Sequence, residues 1–516
     1  MTDYGLKGKL KEAFDFLSLI NQIAYRDTYL LSNEVLSKNP FTNNFLDRYL
    51  KGENPQRISR VYIVSILLKY YFRSFAHLII YILNFLAFYI SKLRFSVNNK
   101  HNELTVIDTF FLIDRIEKEN VYNDPYFVGL KDILDKLEKQ YVYLPVFCYT
   151  KNPLRLLKTF KILTKQNIPV LTEYQLLSVT DMLIISVFVL IYPVKVFGFI
   201  RTLISEINKM HKYYNEMNLL RSAIIDDLPH ATFHRFSRYL QGKRITTLPC
   251  QKIKLISWFE NQTIDKNLYK GLRERGSNVK IYGVQPFLFS QIALNILVDE
   301  NEVKFGIVPD KIIVNGSYYI PDSTNLNFEV GPSFRYKKIF STVIKEKERT
   351  NILVLLPYSK LDAKNVLELL SKLEPQDAEL IIKTHPAVPI EALDTLAPPN
   401  SKIVENDIYE LFKTTKIVIG AASGSLIEAA SLGIPVISLK NNTRFDYNPL
   451  PEYGRGIIWE EVTNLSELKH ALLIFDGILQ DETKKNRVKQ VAEEYKKMFF
   501  CRHDELNIIN SFELYN

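Results

Sequence analysis

The sequence predicts an α/β protein of two domains, each with a parallel sheet and helical crossovers. Short apolar, β-branched runs alternate along the chain with segments of helical periodicity, which is typical of parallel sheets. Most of these runs end in a loop with glycine or polar residues. A chain of 516 residues also exceeds the size that one ordinary hydrophobic core supports.

Charge limits the partners that the protein can have. The 66 Lys and Arg residues outnumber the 57 Asp and Glu residues, and the net charge of +9 favours a negatively charged partner. The sequence carries no zinc finger, no aromatic RNA-binding motif and no Arg-rich helix, so nucleic acid is not an expected partner. An anionic membrane surface or the phosphate of a small ligand fits the charge better.

Cysteine usage and the first residues indicate a reducing compartment. Cys148, Cys250 and Cys501 are far apart and odd in number, and they match neither a metal site nor a disulfide framework. The opening residues MTDYGLKGKLKEAFDF carry charges where a signal peptide has its apolar region, so we expect a cytoplasmic protein. The sequence shows no clear D-x-D motif and no His cluster, so we expect neither a metal nor another cofactor.

Two apolar runs stand out in the N-terminal half. The cleanest part of the first, residues 74–91, contains 18 uncharged residues, among them His77 and Asn84, which is the lower limit for a membrane span. The second, at 182–194, is expected to break at Pro193. Three interpretations stay open: a transmembrane helix, helices lying in the membrane interface, and ordinary buried helices. Charges within and beside both runs favour the interface, and hence peripheral attachment to the inner membrane.

Strand-like and helical segments alternate along the rest of the chain. In the first half, strands are predicted at 104–108, 110–114, 141–144, 170–173, 254–259, 279–282 and 311–314, and helices at 131–139, 155–165 and 265–275. Residues 318–350 are predicted to connect the domains. In the second half, strands are predicted at 351–356, 380–382, 416–419 and directly after 433–436, and helices at 363–373, 426–431, 465–475 and 482–498.

Three loops of the first domain are predicted to meet at one edge of its sheet. Ligands bind outside the carboxyl ends of parallel strands, so the side chains in these loops are candidates for the cleft. The candidates are Asn261, Gln262, Gln285, Gly316 and Ser317.

Glu260, at the end of the strand 254–259, is the candidate catalytic carboxylate. A carboxylate placed there can act as a general base or as a nucleophile. The alternative is that Glu260 caps the next helix or pairs with a nearby Lys or Arg, as most carboxylates do. Asp226 and Asp227 form a rival pair, although no clear strand precedes them.

Two loops of the second domain point to an anion site. Lys383-Thr384-His385-Pro386 follows the strand 380–382, and Ala421-Ala422-Ser423-Gly424-Ser425 follows the strand 416–419 and opens a helix. Small residues let the backbone approach a ligand, and free amides at a helix start favour phosphate. The alternative is local, because Ser425 and Glu428 have the spacing of a capping box.

The two loops together resemble the nucleotide-binding half of GT-B glycosyltransferases. The likeness, over about residues 350–460, is to the bacterial sialyltransferases, polysialyltransferases and Kdo transferases, which have an HP motif followed by a serine motif. The resemblance implies two Rossmann-like domains that face each other across a cleft. It also implies that His385, Ser423 and Ser425 contact the donor phosphate and that Glu428 contacts the ribose. Further binding candidates are the neighbouring residues Lys383, Pro386 and Gly424. The segment WFENQ at 258–262 is similar to one in bacterial surface-polysaccharide glycosyltransferases.

The resemblance implies an organisation in four parts. These are a helical, partly membrane-associating region at 1–100, an acceptor domain at 101–335 with an apolar helical insertion near 182–205, a nucleotide-sugar-binding domain at 336–490, and a final helix at 491–516 that could cross back to the first domain.

The function that the resemblance implies is metal-independent transfer of a sugar onto a bacterial surface glycan, such as capsule or O-antigen. The donor of choice is a CMP-linked Kdo or sialic-acid-like sugar, and the acceptor a glycan or a lipid-linked glycan. Alternatives are a CDP-sugar, UDP-sugar or glycerophosphate transferase of the same fold, an epimerase, and a non-catalytic, membrane-associated polysaccharide assembly protein. The sequence leaves open the linkage, the stereochemical outcome and the oligomeric state.

Overall fold

The computed structural model describes residues 3–39, 43–55, 58–97, 102–148, 152–207, 213–275, 278–290, 293–322, 326–373, 378–385, 397–399, 401–440 and 448–515. Two six-stranded sheets organise the chain, and all the strand pairs within them are parallel. This confirms the predicted α/β class with two Rossmann-like sheets.

The first sheet has the strand order β2-β1-β3-β4-β5-β6. Its strands are β1 (Glu103–Leu112), β2 (Tyr141–Cys148), β3 (Lys252–Trp258), β4 (Val279–Gln285), β5 (Lys311–Val314) and β6 (Phe328–Val330). The second sheet has the order β12-β11-β10-β7-β8-β9. Its strands are β7 (Asn351–Leu355), β8 (Leu380–Lys383), β9 (Ser401–Val404), β10 (Thr415–Gly420), β11 (Val436–Leu439) and β12 (Trp459–Val462).

Helices cover both sheets and fill the N-terminal half. Before and around the first sheet they are α1 (Asp3–Ala24), α2 (Asn44–Lys51), α3 (Arg60–Ser91), α4 (Ile113–Glu119), α5 (Leu130–Lys136), α6 (Pro153–Lys165), α7 (Glu173–Leu176), α8 (Val179–Ile207), α9 (Tyr214–Asp227), α10 (Phe233–Ile245), α11 (Thr263–Arg275) and α12 (Glu300–Lys304). The second half adds α13 (Lys360–Leu370), α14 (Ile408–Thr414), α15 (Ser425–Ser431), α16 (Leu465–Gln480), α17 (Glu482–Phe499) and α18 (Glu505–Phe512).

Several predicted boundaries in the first sheet were wrong. The two strand runs split at residue 109 form one strand, β1, because its polar residues Asp108 and Thr109 are buried within the sheet. The expected strand at 170–173 is a single parallel bridge between Tyr143 and Val170. It stops there because helix α7 begins three residues later. The short strands β6 and β9 were not predicted, since three or four residues leave little periodicity to detect.

The second apolar run forms one continuous helix through Pro193, where a break was expected. Proline has no N–H, so the carbonyl of Val189, four residues earlier, loses its helical partner. The hydroxyl of Tyr70 on α3 donates to this carbonyl at 3.0 Å, and that of Tyr71 donates to the next one at 3.1 Å. These bonds compensate the helix for its proline and join α3 to α8.

Helices α3 and α8 are each long and apolar enough to cross a membrane. Only 33% and 44% of their most apolar windows are buried in the protein. Their outward surfaces expose large apolar side chains, among them Leu68, Phe72 and Ile79 on α3 and Leu183 and Leu190 on α8. We refer to the exposed apolar side chains of α3 and α8 as the outer apolar face.

Helices α10 and α11 cross in close contact through two glycines. A Cβ atom on Gly271 would lie 2.0 Å from the carbonyl oxygen of Tyr239, and one on Gly242 would lie 2.4 Å from that of Leu268. Only a hydrogen at each position permits this approach. The crossing fixes the two helices against the sheet and holds the start of α11 at the carboxyl end of β3.

The last residues of the chain pack on the first sheet. The hydroxyl of Ser333 accepts the N–H of Cys501 at 3.0 Å, and Glu505 and Glu513 pair with Lys136 and Lys280. The predicted domain boundaries stay predictions, and the one at 490 falls within helix α17.

Candidate active site between the two sheets

A cavity of about 300 Å³ lies between loops from both halves of the chain. The first half contributes Asn39, Trp258, Glu260, Phe287, Leu288, Phe289, Ser290, Ala293 and Ile296, and the rest of the lining is Arg335, Ala422, Gly424 and Pro449. The loop after β3 therefore faces the loop after β10. Two residues of the predicted serine loop, Ala422 and Gly424, and the predicted carboxylate, Glu260, thus line one cavity.

Glu260 is held by its own segment. The indole of Trp258 donates to Oε1 at 2.7 Å, and the amide of Gln262 donates to Oε2. Asp265, in the first turn of α11, accepts the backbone N–H groups of Glu260 and Gln262 at 3.1 and 3.0 Å. Glu260 was alternatively expected to cap the next helix. Asp265 has this local role instead.

The Glu260 carboxyl group is suited to proton transfer. Burial raises its pKa, and the hydrogen bonds from Trp258 and Gln262 and the charge of Arg335 oppose the rise. No salt bridge to Glu260 occurs in the described part of the chain. The alternative role of Glu260, pairing with a Lys or Arg, therefore has no supporting contact there. A half-buried carboxyl with a raised pKa, facing a cavity, is a candidate general base.

Left-handed backbone occurs in both loops that form the cavity. Asn261 has φ 55° and Ala422 has φ 45°. The other described non-glycine residues with positive φ lie at the ends of helices, where this conformation is common, whereas Asn261 and Ala422 precede helices. Such conformations cost free energy and cluster at functional sites. We take their occurrence on both sides of the cavity as support for a binding role.

The serine loop is built from internal hydrogen bonds. The hydroxyl of Ser423 accepts the N–H of Ser425 at 3.3 Å, and the hydroxyl of Ser425 donates to Glu428 at 3.1 Å. Ser425 is the first residue of α15, so it does not form the capping box considered as the alternative. Gly424 lines the cavity, and a Cβ atom there would lie 3.1 Å from Leu288 of the opposite wall.

Glu428 is buried behind the serine loop. Tyr409 donates to its second carboxylate oxygen at 2.5 Å, so both oxygens have a protein partner. Burial raises the pKa of Glu428, and the bonds from Tyr409 and Ser425 and the charge of Arg335 oppose the rise. Its predicted contact with a ribose stays a prediction and would require exchange of one of these bonds.

The HP loop and the serine loop leave the same edge of the second sheet but are not adjacent. Lys383 of β8, Leu355 of β7 and Gly420 of β10 are in register across the sheet, so β7 separates the two loops by two strand spacings, roughly 10 Å. The ring of His385 lies 6.2 Å from that of Tyr358, which follows β7. Desolvation lowers the pKa of His385.

Neither His385 nor the two serines line the cavity of about 300 Å³, whereas Gly424 does. Lys383 donates to the carbonyl oxygens of Glu405 and Asn406 at 3.3 and 2.6 Å, so its ammonium group already has partners. Pro386 lies outside the described residues. The structure therefore places the HP motif at the rim of the same edge, and its predicted contact with a phosphate stays a prediction.

The remaining predicted cleft residues lie around the cavity. The amide of Asn261 donates to Glu302, within a buried cluster that includes Lys38 and Lys266. Gln285 belongs to β4, and its amide donates to the carbonyl of Ile296, a cavity residue.

Gly316 and Ser317 are placed differently. A Cβ atom on Gly316 would lie 2.2 Å from the carbonyl oxygen of Met498, so this glycine serves the packing of α17. Ser317 is exposed and starts a short turn whose last residue, Tyr319, is buried.

Arg335 is a cavity residue that the sequence did not single out. It lies in the segment between the sheets, is exposed, and has its guanidinium 5.8 and 5.9 Å from the rings of Tyr126 and Trp258. No carboxylate of the described residues forms a salt bridge with it, although its charge acts on both Glu260 and Glu428. The sequence signal was weak, because Arg335 stands at the start of a basic connecting segment.

The described residues contain no group of three or more His, Cys, Asp or Glu side chains placed to hold a metal ion. The cationic group that lines the cavity is the guanidinium of Arg335. The expectation of a metal-independent, cofactor-free site stays a prediction.

Comparisons with known proteins give weak structural likenesses. No protein-family model and no curated protein sequence matches the chain. Among solved structures, the chain is similar to MurG from Acinetobacter baumannii, with 11% identity, a TM-score of 0.40, and coverage of 80% of this chain and 99% of that one. It is also similar to a UDP-GlcNAc 2-epimerase from Neisseria meningitidis bound to UDP-GlcNAc, with 11% identity, a TM-score of 0.37, and coverage of 80% and 98%.

A third likeness is to the wall teichoic acid polymerase TagF, with 10% identity, a TM-score of 0.36, and coverage of 89% of this chain and 97% of that one. TM-scores below 0.5 do not establish a shared fold. The two-sheet architecture and the candidate site therefore rest on the strands, the cavity and the side chains of this chain itself.

Proposed function

We propose that the protein is a glycosyltransferase that binds a nucleotide sugar in the cavity between its two sheets. The observation that carries the proposal is that Glu260, Arg335 and the serine-loop residues Ala422 and Gly424 line the same cavity. Glycosyl transfer needs a carboxylate at the acceptor hydroxyl or at the sugar carbon, and positive charge at the leaving phosphate. The cavity offers both.

In this proposal Glu260 is the catalytic carboxylate and has one of two roles. It either removes the proton of the attacking hydroxyl or attacks the sugar itself, and the stereochemistry of the product would decide between the two. The bonds from Trp258 and Gln262 hold the carboxylate in one orientation, which lowers the cost of arranging it for reaction. Its raised pKa suits a base that must accept a proton.

The leaving nucleotide phosphate would be stabilised mainly by Arg335. A guanidinium can make two parallel hydrogen bonds to a phosphate, and such charge-assisted bonds are about twice as strong as neutral ones. Helix α15 has seven residues, so we assign its start a minor part, with the backbone of the serine loop in support. We propose that His385 and Lys383 approach the donor from the rim, and that no metal is needed.

For the donor, we retain a CMP-linked Kdo or sialic-acid-like sugar as the first choice, with CDP- and UDP-linked donors as alternatives. For the acceptor, we propose a bacterial surface glycan carried on a lipid at the inner membrane. This proposal is supported by the outer apolar face, which occupies much of two helices.

An anionic membrane fits that face by charge. Arg60, Lys69, Arg73, Lys92 and Arg94 lie within or beside α3, and basic residues beside an apolar helix face favour binding at the lipid headgroups. We therefore propose a cytoplasmic protein attached peripherally to the inner membrane, with its outer apolar face in the interface.

A nucleotide screen tests the donor site. CMP, CDP, UDP and GDP are added separately to the full-length protein and the melting temperature is followed, because a ligand that binds only the folded form raises it. We expect at least one nucleotide to raise it. His385→Ala should reduce the shift, and the exposed His470→Ala should leave it unchanged. The proposal fails if none of the nucleotides stabilises the protein.

A further inference from the structure

A second cavity, of about 510 Å³, lies at the carboxyl end of β2. Helices α3, α7 and α10 and the end of β2 form its walls. It shares no lining residue with the cleft cavity between the sheets. Its volume is in the range of sites that bind small organic groups. We refer to it as the α3 cavity.

Connected polar side chains line the α3 cavity. Arg238 donates to Asp108 at 2.5 Å and to the amide oxygen of Gln241 at 3.1 Å, and Gln241 in turn donates to Glu173 at 3.3 Å. Asp108 compensates the charge of the guanidinium, while Glu173 adds a carboxyl group to the wall. The lining thus combines apolar and polar side chains, and its guanidinium is paired with a carboxylate, which suits a neutral hydrogen-bonding ligand better than a phosphate.

Two atoms of this network lack a partner. Asn84 Oδ1 and Arg238 Nε are buried and make no hydrogen bond within the described part of the chain. Buried polar groups are nearly always hydrogen-bonded in native proteins, so unsatisfied ones call for an explanation. Tyr174 and Phe147 add aromatic rings to the lining. Carboxyl, amide and aromatic groups together are what a hydroxyl-rich ring such as a sugar can contact on its edges and faces.

The apolar sequence of α3 contains two of the polar residues of this cavity. His77 and Asn84 are the two polar residues noted in the stretch 74–91, and both line the cavity together with Ile80. They are seven residues apart, so they lie on the same face of the helix. The neighbours Ile79 and Leu83 are 60% and 44% exposed on the outer apolar face. The cavity therefore lies directly beside the surface proposed to contact the membrane.

The α3 cavity is also close to the candidate catalytic carboxylate. Ile264 lines it and stands four residues after Glu260. Four residues of fully extended chain span at most about 14 Å, so the edge of the cavity lies within that distance of the Glu260 backbone. The α3 cavity therefore lies near both the outer apolar face and the candidate catalytic carboxylate.

We propose that the α3 cavity binds a sugar unit of a lipid-linked acceptor while the lipid remains in the membrane beside the outer apolar face. The ligand class is a neutral, hydroxyl-rich saccharide on an alkyl chain. This inference rests on the proposed glycosyltransferase function for its meaning, but the binding itself can be measured without any transfer.

The test uses small glycolipid probes on the full-length protein. Octyl glycosides of glucose, galactose and N-acetylglucosamine are titrated below their micelle concentrations, and binding is followed by saturation-transfer NMR. Octyl tetraethylene glycol controls for the chain, and octyl phosphate for a charged head. We expect at least one glycoside to bind at least tenfold more tightly than both controls.

Two variants locate the site. Ile80→Trp fills the cavity from α3 and should weaken glycoside binding at least tenfold, whereas Ile79→Trp, at the adjacent exposed position, should leave it unchanged. Glu173→Gln keeps the volume of the side chain and should also weaken binding, so the test does not depend on one variant that fails to fold. Equal binding of glycoside and tetraethylene glycol, tighter binding of octyl phosphate, or equal effects of the two Trp variants would overturn the inference.

The nucleotide screen separates this inference from the proposed function. Nucleotide binding without glycoside binding would remove the α3 cavity as a saccharide site and leave the donor site intact. Glycoside binding without nucleotide binding would keep the saccharide site and remove the glycosyltransferase proposal.

Discussion

The indole Nε1 of Trp258 donates a hydrogen bond of 2.7 Å to Oε1 of Glu260. Trp258 is the last residue of β3, so the strand itself determines where the carboxylate stands. Gln262 holds the second oxygen from the same loop, and Asp265 anchors the loop backbone. The carboxylate is thus positioned by residues within five positions of it, in the loop that follows β3.

Glu260→Gln should remove transfer while keeping donor binding. A general base contributes typically 10²–10⁴-fold to rate, and we expect kcat to fall within this range while the affinity for the nucleotide changes little. Glu300→Gln, an exposed carboxylate away from the cavity, is the control. In a Trp459→Phe background, the fluorescence emission of Trp258 should shift in the Glu260→Gln variant, because the group that accepts the indole hydrogen bond is changed. Full transfer activity in Glu260→Gln would exclude the residue from the mechanism.

Arg335→Gln should change both donor affinity and the pH profile. Loss of charge-assisted hydrogen bonds to phosphate, worth about 1.5–3 kcal/mol, predicts a fall in nucleotide affinity of roughly 10- to 100-fold. The charge of Arg335 opposes the rise in the pKa of Glu260. Without it the carboxyl releases its proton less readily, so the acid limb of the rate profile should move to higher pH.

Two variants control this measurement. Arg335→Lys keeps the charge and should keep the acid limb in place, even if the affinity is partly lost. Lys337→Gln removes an exposed charge outside the cavity and should alter neither quantity. A profile that is identical in Arg335→Gln and in the unchanged protein would contradict the assignment.

Asp265 makes stability depend on pH. Burial raises its pKa from 3.8 to about 8, so between these values the folded protein retains a proton that the unfolded chain releases. The free energy of unfolding should therefore fall as pH rises through this window. Asp265→Asn keeps an acceptor oxygen for the loop and removes the ionisation. Its melting temperature should fall less steeply from pH 5 to pH 8 than that of the exposed control Asp322→Asn; equal slopes would refute this.

Gly271→Ala should destabilise the first half of the protein. The added Cβ would meet the carbonyl oxygen of Tyr239 at 2.0 Å, so α10 and α11 must move apart, at a cost of about 1–3 kcal/mol. Gly477→Ala in α16 is the matched control, since nothing lies within 4 Å of its Cβ position. There we expect a gain of up to about 1 kcal/mol from helix propensity. Urea unfolding would measure both changes, and a neutral Gly271→Ala would show that the crossing can relax.

Phe72→Glu should weaken membrane binding. Phe72 is 78% exposed on the outer apolar face, so the change removes apolar contact with lipid and adds a charge that an anionic surface repels. We expect at least a tenfold loss in co-sedimentation with vesicles that contain anionic lipid. Leu473→Glu on α16, at a side chain that is 71% exposed, should have no such effect. Equal loss in both variants, or in neither, would count against this face as the contact.

Local patterns were enough to predict most of the strands that carry the candidate site. The runs before Glu260, Lys383 and Ala421 are continuous and apolar because both faces of a parallel sheet are covered by helices. Local patterns failed where long-range contacts decide. Pro193 was expected to end a helix, and it does not, because Tyr70, more than a hundred residues earlier, satisfies the carbonyl that the proline frees.

The sequence by itself determined the α/β class, the loops that end the strands, and Glu260 and Gly424 as residues of the cleft. These follow from periodicities and turn residues that act over a few positions. Only the tertiary structure decided that Arg335 lines the same cavity as Glu260, that Gly316 serves packing, and that His77 and Asn84 line a second cavity. Each of these depends on how distant segments pack against each other, and no local pattern specifies that arrangement.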